Sequence, residues 1–112
     1  FVDVDLENDF NAISIEEKPL NPKSNWAVTG LYVFNEEAVG YTKSLKKSDR
    51  SEYEITDLNK IYLENKKLKV VLLDDAYSWL DTGTHDSLLE ASNFVRNIEL
   101  KNEISVADLE VM

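Results

Sequence analysis

The chain opens on an alternation of apolar and acidic positions, Phe1-Val2-Asp3-Val4-Asp5. After the polar stretch Glu7-Asn8-Asp9 it alternates again through Ala12-Ile13-Ser14-Ile15. A period of two puts every second side chain on one face, which predicts a strand, a turn and a second strand. Pro19-Leu20-Asn21-Pro22-Lys23-Ser24-Asn25 is a loop by composition. Residues 27–34, rich in Val, Leu and aromatics, have the pattern of a strand covered on both faces. Asn35 is a predicted N-cap, with Glu36 and Glu37 at the positive end of a helix running to about Leu45 and Lys43, Lys46 and Lys47 toward its negative end. The polar run Ser48-Asp49-Arg50-Ser51-Glu52 reads as a connecting loop. Thr56 is then the expected cap of a second helix that turns Leu58, Ile61, Tyr62 and Leu63 inward.

Residues 68–73 form another buried-strand candidate, and residues 77–80 a short one. Thr82-Gly83-Thr84 breaks the pattern, and Leu88, Ala91, Val95 and Ile98 recur at helical spacing from His85 to about Leu100. A weak strand signal, Ile104-Ser105-Val106, closes the pattern. Strands alternating with helices predict an α/β fold, and no Gly/Ser/Pro-rich linker divides the chain.

Composition narrows the chemistry. Twelve Lys and Arg stand against 22 Asp and Glu among 112 residues, a formal net charge of −10. Nucleic acid and anionic lipid both call for a basic face, so neither is an expected partner. A few placed cations can still hold a small phosphorylated ligand inside a negative field. With no cysteine, disulfide frameworks, thiolate zinc sites and a thiol nucleophile are excluded. No apolar run approaches the roughly 20 residues of a membrane helix and no signal segment opens the sequence, which makes a cytoplasmic protein the expectation.

Three places concentrate polar residues beside predicted strand ends, where ligands bind open α/β sheets. In Glu16-Glu17-Lys18-Pro19 a carboxylate and an ammonium can grip a molecule carrying hydroxyls and a phosphate, although charges at a strand exit are more often simply solvated. Arg50 presents a planar fork suited to phosphate, but a lone loop arginine followed by Glu52 and Glu54 is more often a surface ion pair of little energetic consequence. Asp81, in Trp79-Leu80-Asp81-Thr82-Gly83-Thr84-His85, stands before a helix start. It suits either half of a Mg²⁺ site or, with Thr84, an ordinary cap. His85 has no partners at metal-ligand spacing and reads as a first-turn surface residue.

Taken together, these segments resemble the glucose-1-phosphate thymidylyltransferases of the sugar nucleotidyltransferase superfamily. The motifs that carry the resemblance are Ile15-Glu16-Glu17-Lys18-Pro19, Pro22-Lys23-Ser24-Asn25-Trp26-Ala27-Val28-Thr29-Gly30-Leu31-Tyr32, Glu54-Ile55-Thr56-Asp57-Leu58-Asn59 and Trp79-Leu80-Asp81-Thr82-Gly83-Thr84-His85-Asp86. The resemblance implies a mixed sheet with flanking helices, part of a Rossmann-like nucleotidyltransferase fold. It implies transfer of a thymidylyl group from dTTP to glucose 1-phosphate, giving dTDP-glucose and pyrophosphate on the way to dTDP-rhamnose. On that reading Glu17 accepts from glucose hydroxyls, Lys18 and Arg50 hold the sugar phosphate, Val28 and Tyr32 line the sugar pocket, and Asp81 supplies one Mg²⁺ carboxylate. A homo-oligomer is also implied.

Two local departures stand out. Ser51 occupies a position that is glycine in the family, and Asp74-Asp75-Ala76 replaces a Gly-Arg-Gly turn. The family's glycine-rich phosphate loop, base-recognition segment and second metal-binding aspartate have no counterpart in these 112 residues. Residues 1–112 are therefore expected to be a single fragment, the sugar-phosphate-binding half of a nucleotidyltransferase domain without its nucleotide-binding half, and inactive alone. The alternatives are a non-catalytic structural or oligomerisation module and a fragment of a uridylyltransferase relative.

Overall fold

Val2 and Val4 are buried while Asp3 and Asp5 between them are half-buried, so the opening alternation forms strand β1 (Val2–Asp5). It pairs antiparallel with β2 (Asn11–Ile15). Val2 stands opposite Ile15 and Asp3 opposite Ser14, but Val4 stands opposite Ala12, which leaves Ile13 as an extra residue in the ladder. A bulge of this kind leaves the extra residue unpaired, and Ile13 is 57% exposed where a strict alternation would have buried it with Ile15. The intervening turn is tied by the Asp5 carboxylate, whose Oδ1 accepts from the Glu7 and Asn8 amides. Asp9 and Phe10 complete it in the left-handed region.

The structure, a computed structural model, describes residues 1–103 and Val106. Its chain forms two compact units, Phe1–Leu73 and Asp74–Met112. In the first, the N-cap of helix α1 (Glu37–Ser44) is Glu36 rather than the expected Asn35, which stands one residue earlier with its Oδ1 accepting from the Glu37 amide. Helix α2 (Ile55–Glu64) packs against β2 and α1 and buries Thr56, Leu58, Asn59 and Tyr62. Val2, Val4, Ile15, Leu58 and Tyr62 are its buried apolar side chains. Each such aliphatic group contributes at most about 1.5–3 kcal/mol relative to exposure. An aromatic row continues this core: Tyr32 stacks on Phe34 at 5.8 Å between ring centroids, Phe34 meets Tyr62 at 5.5 Å, and Tyr41 meets Tyr62 edge-on at 5.1 Å. The Tyr62 hydroxyl donates to Asn35 Oδ1 at 2.8 Å, linking α2 to the approach to α1.

Helix α3 (His85–Asn102) belongs to the second unit. Thr84 caps it, with its hydroxyl accepting from the Ser87 amide while Ser87 Oγ accepts from the Thr84 amide. This reciprocal pair satisfies two donors at the helix start. Ala91 is buried, Val95 and Ile98 are half-buried, and Leu88 is exposed. The predicted inward stripe is therefore present from its second member onward.

Three predicted strands are not strands in this structure. Residues 27–34 and 77–80 have no ladder partners, and of residues 68–73 only Lys69 bridges another segment, at Asn11. The described residues therefore hold a two-stranded antiparallel sheet rather than a mixed one. A strand is defined by the backbone beside it, and β-branched composition gives a segment its extended shape without providing that neighbour. Alternation survives even so: Tyr32 and Phe34 are half-buried, whereas Leu31 is 80% and Val33 96% exposed. Thr56 is likewise not the cap of α2. Glu54 takes that position and Thr56 lies buried in the first turn. Of the closing strand signal, Ile104 and Ser105 lie outside the described residues.

Candidate functional site

Burial of Ile15 anchors the end of β2, and the next residues turn outward. Lys18 adopts φ 41°, in the left-handed region. That conformation costs a non-glycine residue roughly 1–2 kcal/mol, and a following proline disfavours helical geometry further. Lys18 is thus held in a conformation it would not choose alone, a kind of strain concentrated at ligand-binding positions. Beside it, Glu17 Oε2 accepts a hydrogen bond from Thr56 Oγ1 at 2.6 Å. This bond joins the exit of β2 to the first turn of α2 across 39 positions of sequence.

The loop before α2 is built around one carboxylate. Glu54 Oε1 accepts from Arg50 Nη2 at 2.8 Å and from Ser48 Oγ at 2.9 Å, while Glu52 lies 3.8 Å from the same guanidinium nitrogen. The loop backbone is closed by Ser51 donating to the Ser48 carbonyl and Ser48 to the Glu52 carbonyl, both at 2.8 Å. Ser51 has φ 60°, the left-handed geometry that glycine favours. The position at which the resembled family carries glycine thus requires that geometry, and serine adopts it.

Electrostatics tie the two segments together. Hydrogen bonds from Arg50 and then Ser48 lower the Glu54 carboxyl below its ordinary range, and the positive charge of Lys18 acts in the same direction. The bond to Glu54 raises the Arg50 guanidinium, with smaller contributions from Glu52 and Glu17. Burial, and then the charge of Glu17, pushes the Tyr32 phenol up. By direct contact, Glu17 is tied to Thr56 and Arg50 to Glu54, two positions apart at the start of α2 in the first unit. Val28 is half-buried four positions before Tyr32 on the same segment. The Ser48 and Thr56 hydroxyls are additions to the expected set, whereas Glu54 is the ion-pair partner its place beside Arg50 predicts. Thr56 and Glu54 stand in the Glu54-Ile55-Thr56 motif, which carries no sign of the direction of a hydroxyl.

Asp81 lies in the second unit. It is exposed, and its Oδ1 accepts from the Gly83 amide at 3.0 Å in the turn leading to α3. Capping proper falls to Thr84. His85 is the exposed first residue of α3, in agreement with its reading as a surface residue. Among the described residues no group of three or more His, Cys, Asp and Glu converges into a metal cage. Within the first unit the arrangement offers a carboxylate to accept from hydroxyls and two cations to meet an anion, a set suited to a small phosphorylated polyol.

The sequence has counterparts among known proteins. The chain belongs to the nucleotidyl transferase family, whose model matches residues 1–98. Within it, the chain is 50% identical to a glucose-1-phosphate thymidylyltransferase of Neisseria meningitidis over 107 residues, covering 96% of this chain and 37% of that protein. It is 52% identical over 103 residues to the enzyme of the same name from Mycolicibacterium smegmatis, covering 92% of this chain and 36% of the relative. The corresponding Mycobacterium tuberculosis protein is 49% identical over 96 residues, covering 86% and 33%. The chain thus spans little more than a third of the length of these relatives. No described helix is long and apolar enough to cross a membrane.

Proposed function

We propose that this chain supplies the acceptor sugar-phosphate site of a glucose-1-phosphate thymidylyltransferase. The observation that supports the proposal is the anchoring of Glu17 by Thr56 and of Arg50 by Glu54 at the start of one helix in a chain about half identical to enzymes of that name. Glu17 accepts from the glucose hydroxyls, Val28 and Tyr32 line the sugar, and Lys18 and Arg50 hold its phosphate. An oxygen of that phosphate attacks the α-phosphorus of dTTP, forming the new P–O bond as the bond to pyrophosphate breaks. Lys18 and Arg50 keep the nucleophile oriented and offset charge as it develops, so their contribution is positioning and electrostatics.

Asp81 would hold Mg²⁺, a cation commonly bound by one or two carboxylates with substrate phosphates and water; its exposed carboxylate is a donor of the kind such a site uses. Bound there, the ion supplies positive charge against the triphosphate. The triphosphate-binding residues are assigned to the part of the relatives that this chain does not match. In a chain that includes them, residues 27–34 take a place in a larger mixed, Rossmann-like sheet. The setting is a cytoplasmic homo-oligomer feeding dTDP-rhamnose synthesis.

Calorimetric titration with glucose 1-phosphate tests the site directly. The 112-residue chain binds it, Lys18→Ala and Arg50→Ala each weaken binding at least fivefold, and no pyrophosphate is released when dTTP and Mg²⁺ are added. Equal affinity in wild type and both variants refutes the site, and metal-dependent turnover refutes the inactivity of the isolated chain. A second reading, a non-catalytic oligomerisation module, draws on the exposure of Leu20, Leu31 and Val33 at 99%, 80% and 96%. A stable oligomer by size-exclusion chromatography that ignores glucose 1-phosphate favours that reading.

A further inference from the structure

Glu17 is exposed at the end of a strand, on a side chain with three rotatable bonds, yet one of its oxygens is fixed by a group from another element. Thr56 is only 5% exposed, and its hydroxyl donates to Glu17 Oε2 at 2.6 Å. Several observations separate this bond from an incidental surface contact. The Thr56 hydroxyl leaves the first turn of α2 for a carboxylate 39 positions away in sequence. Branching at Cβ restricts Thr56 to few rotamers, so the hydroxyl has a defined direction once α2 is fixed. Burial of Leu58, Asn59 and Tyr62 along the same helix fixes α2.

We infer that Thr56 is a positioning residue that holds Glu17 Oε2 so that Oε1 remains to accept from the hydroxyls of a phosphorylated sugar. The inference rests on the reading of Glu17 as the hydroxyl acceptor. Thr56 itself touches no ligand. Its effect is to order one carboxylate before the ligand arrives, which lowers the entropy lost on binding. A hydrogen bond to an ionised oxygen is short and stronger than a neutral one, in keeping with the length seen here.

The test compares glucose 1-phosphate with propyl phosphate, which keeps the phosphate and lacks the sugar hydroxyls, by calorimetry on the 112-residue chain. Wild type prefers glucose 1-phosphate. Thr56→Val keeps the shape and removes the donor, and it lowers that preference about tenfold without altering the affinity for propyl phosphate. Thr56→Ser restores the preference to within about twofold of wild type. Glu17→Gln removes the preference, and adding Thr56→Val to it has no further effect. Should Thr56→Val fail to fold by circular dichroism, Thr56→Ala provides the same comparison. A Thr56→Val or Thr56→Ala chain with wild-type preference overturns the positioning role while leaving Glu17 as the acceptor. Parallel loss of affinity for both ligands overturns it in favour of a purely structural bond. A wild-type chain that does not distinguish the two ligands overturns the reading of Glu17, and this inference with it.

Discussion

Ser51 offers a quantitative check on the loop that presents Arg50. Its φ of 60° is fixed by local bonds, because its amide donates to the Ser48 carbonyl and the Ser48 amide closes the loop on the Glu52 carbonyl. A left-handed conformation costs an L-residue roughly 1–2 kcal/mol. Replacing Ser51 by Gly removes that cost but adds backbone freedom to the unfolded chain, worth about 0.5–1 kcal/mol in the opposite direction. The difference is a net stabilisation of roughly 0.5 kcal/mol. With a urea dependence of about 1.5 kcal/mol per molar, typical of a small domain, the midpoint rises by about 0.3 M. Ser51→Val adds branching at Cβ to the same strained position and lowers stability by about 1 kcal/mol or more. Unfolding followed by the fluorescence of Trp26 and Trp79 reads both changes. A fall in the midpoint for Ser51→Gly, or a Ser51→Val chain as stable as wild type, would refute the argument that this backbone is held against its preference.

Two further outcomes follow from the ion pairs and caps. Glu37 receives the Lys67 ammonium at 2.8 and 3.0 Å, and its carboxyl is lowered by Lys67 and then by Asn35. A carboxyl lowered on folding stabilises the chain above the ordinary glutamate range, and that stabilisation is lost as pH falls through the folded value. Glu37→Gln should therefore flatten this acid-side loss in urea midpoints taken at low salt, and added salt should shrink the difference because the pair is solvent-exposed. Thr84→Ala removes the hydroxyl of the reciprocal cap on α3, at a cost of about 1 kcal/mol. Reduced helicity by circular dichroism and faster amide exchange in residues 85–88 report it, whereas unchanged exchange argues that the cap carries no load.

Local chemistry was the part of this protein that its sequence expressed well. Period two at Val2 and Val4, the acidic start of α1, and the break at Gly83 before α3 all act within a few residues, and each appears in the structure close to where the pattern placed it. Ile13 shows where pattern ceases to suffice, since a bulge depends on the register with a partner strand and alternation alone carries no trace of it. The same holds for residues 27–34, whose composition specifies extension while the missing ladder depends on neighbouring backbone. At the site, residue types indicated Glu17, Lys18 and Arg50 as binding groups. The grouping of those charges around Glu54 and the hydroxyl of Thr56 depends on contacts between distant segments. Thr56 was read as a cap because caps and first-turn residues share composition, and only the direction of its hydroxyl separates them.

The pairing of Arg50 with Glu54 and Glu52 has a consequence for the salt response of ligand binding. An incoming phosphate competes with resident carboxylates for one guanidinium, so binding is an exchange of anionic partners rather than the filling of a bare positive site. Added salt weakens the departing pairs as well as the arriving one. Affinity that depends on Arg50 consequently varies less with ionic strength than contact with a solitary arginine would, and a chain with ten excess negative charges keeps the Arg50 fork occupied until an anion of suitable geometry displaces the carboxylates.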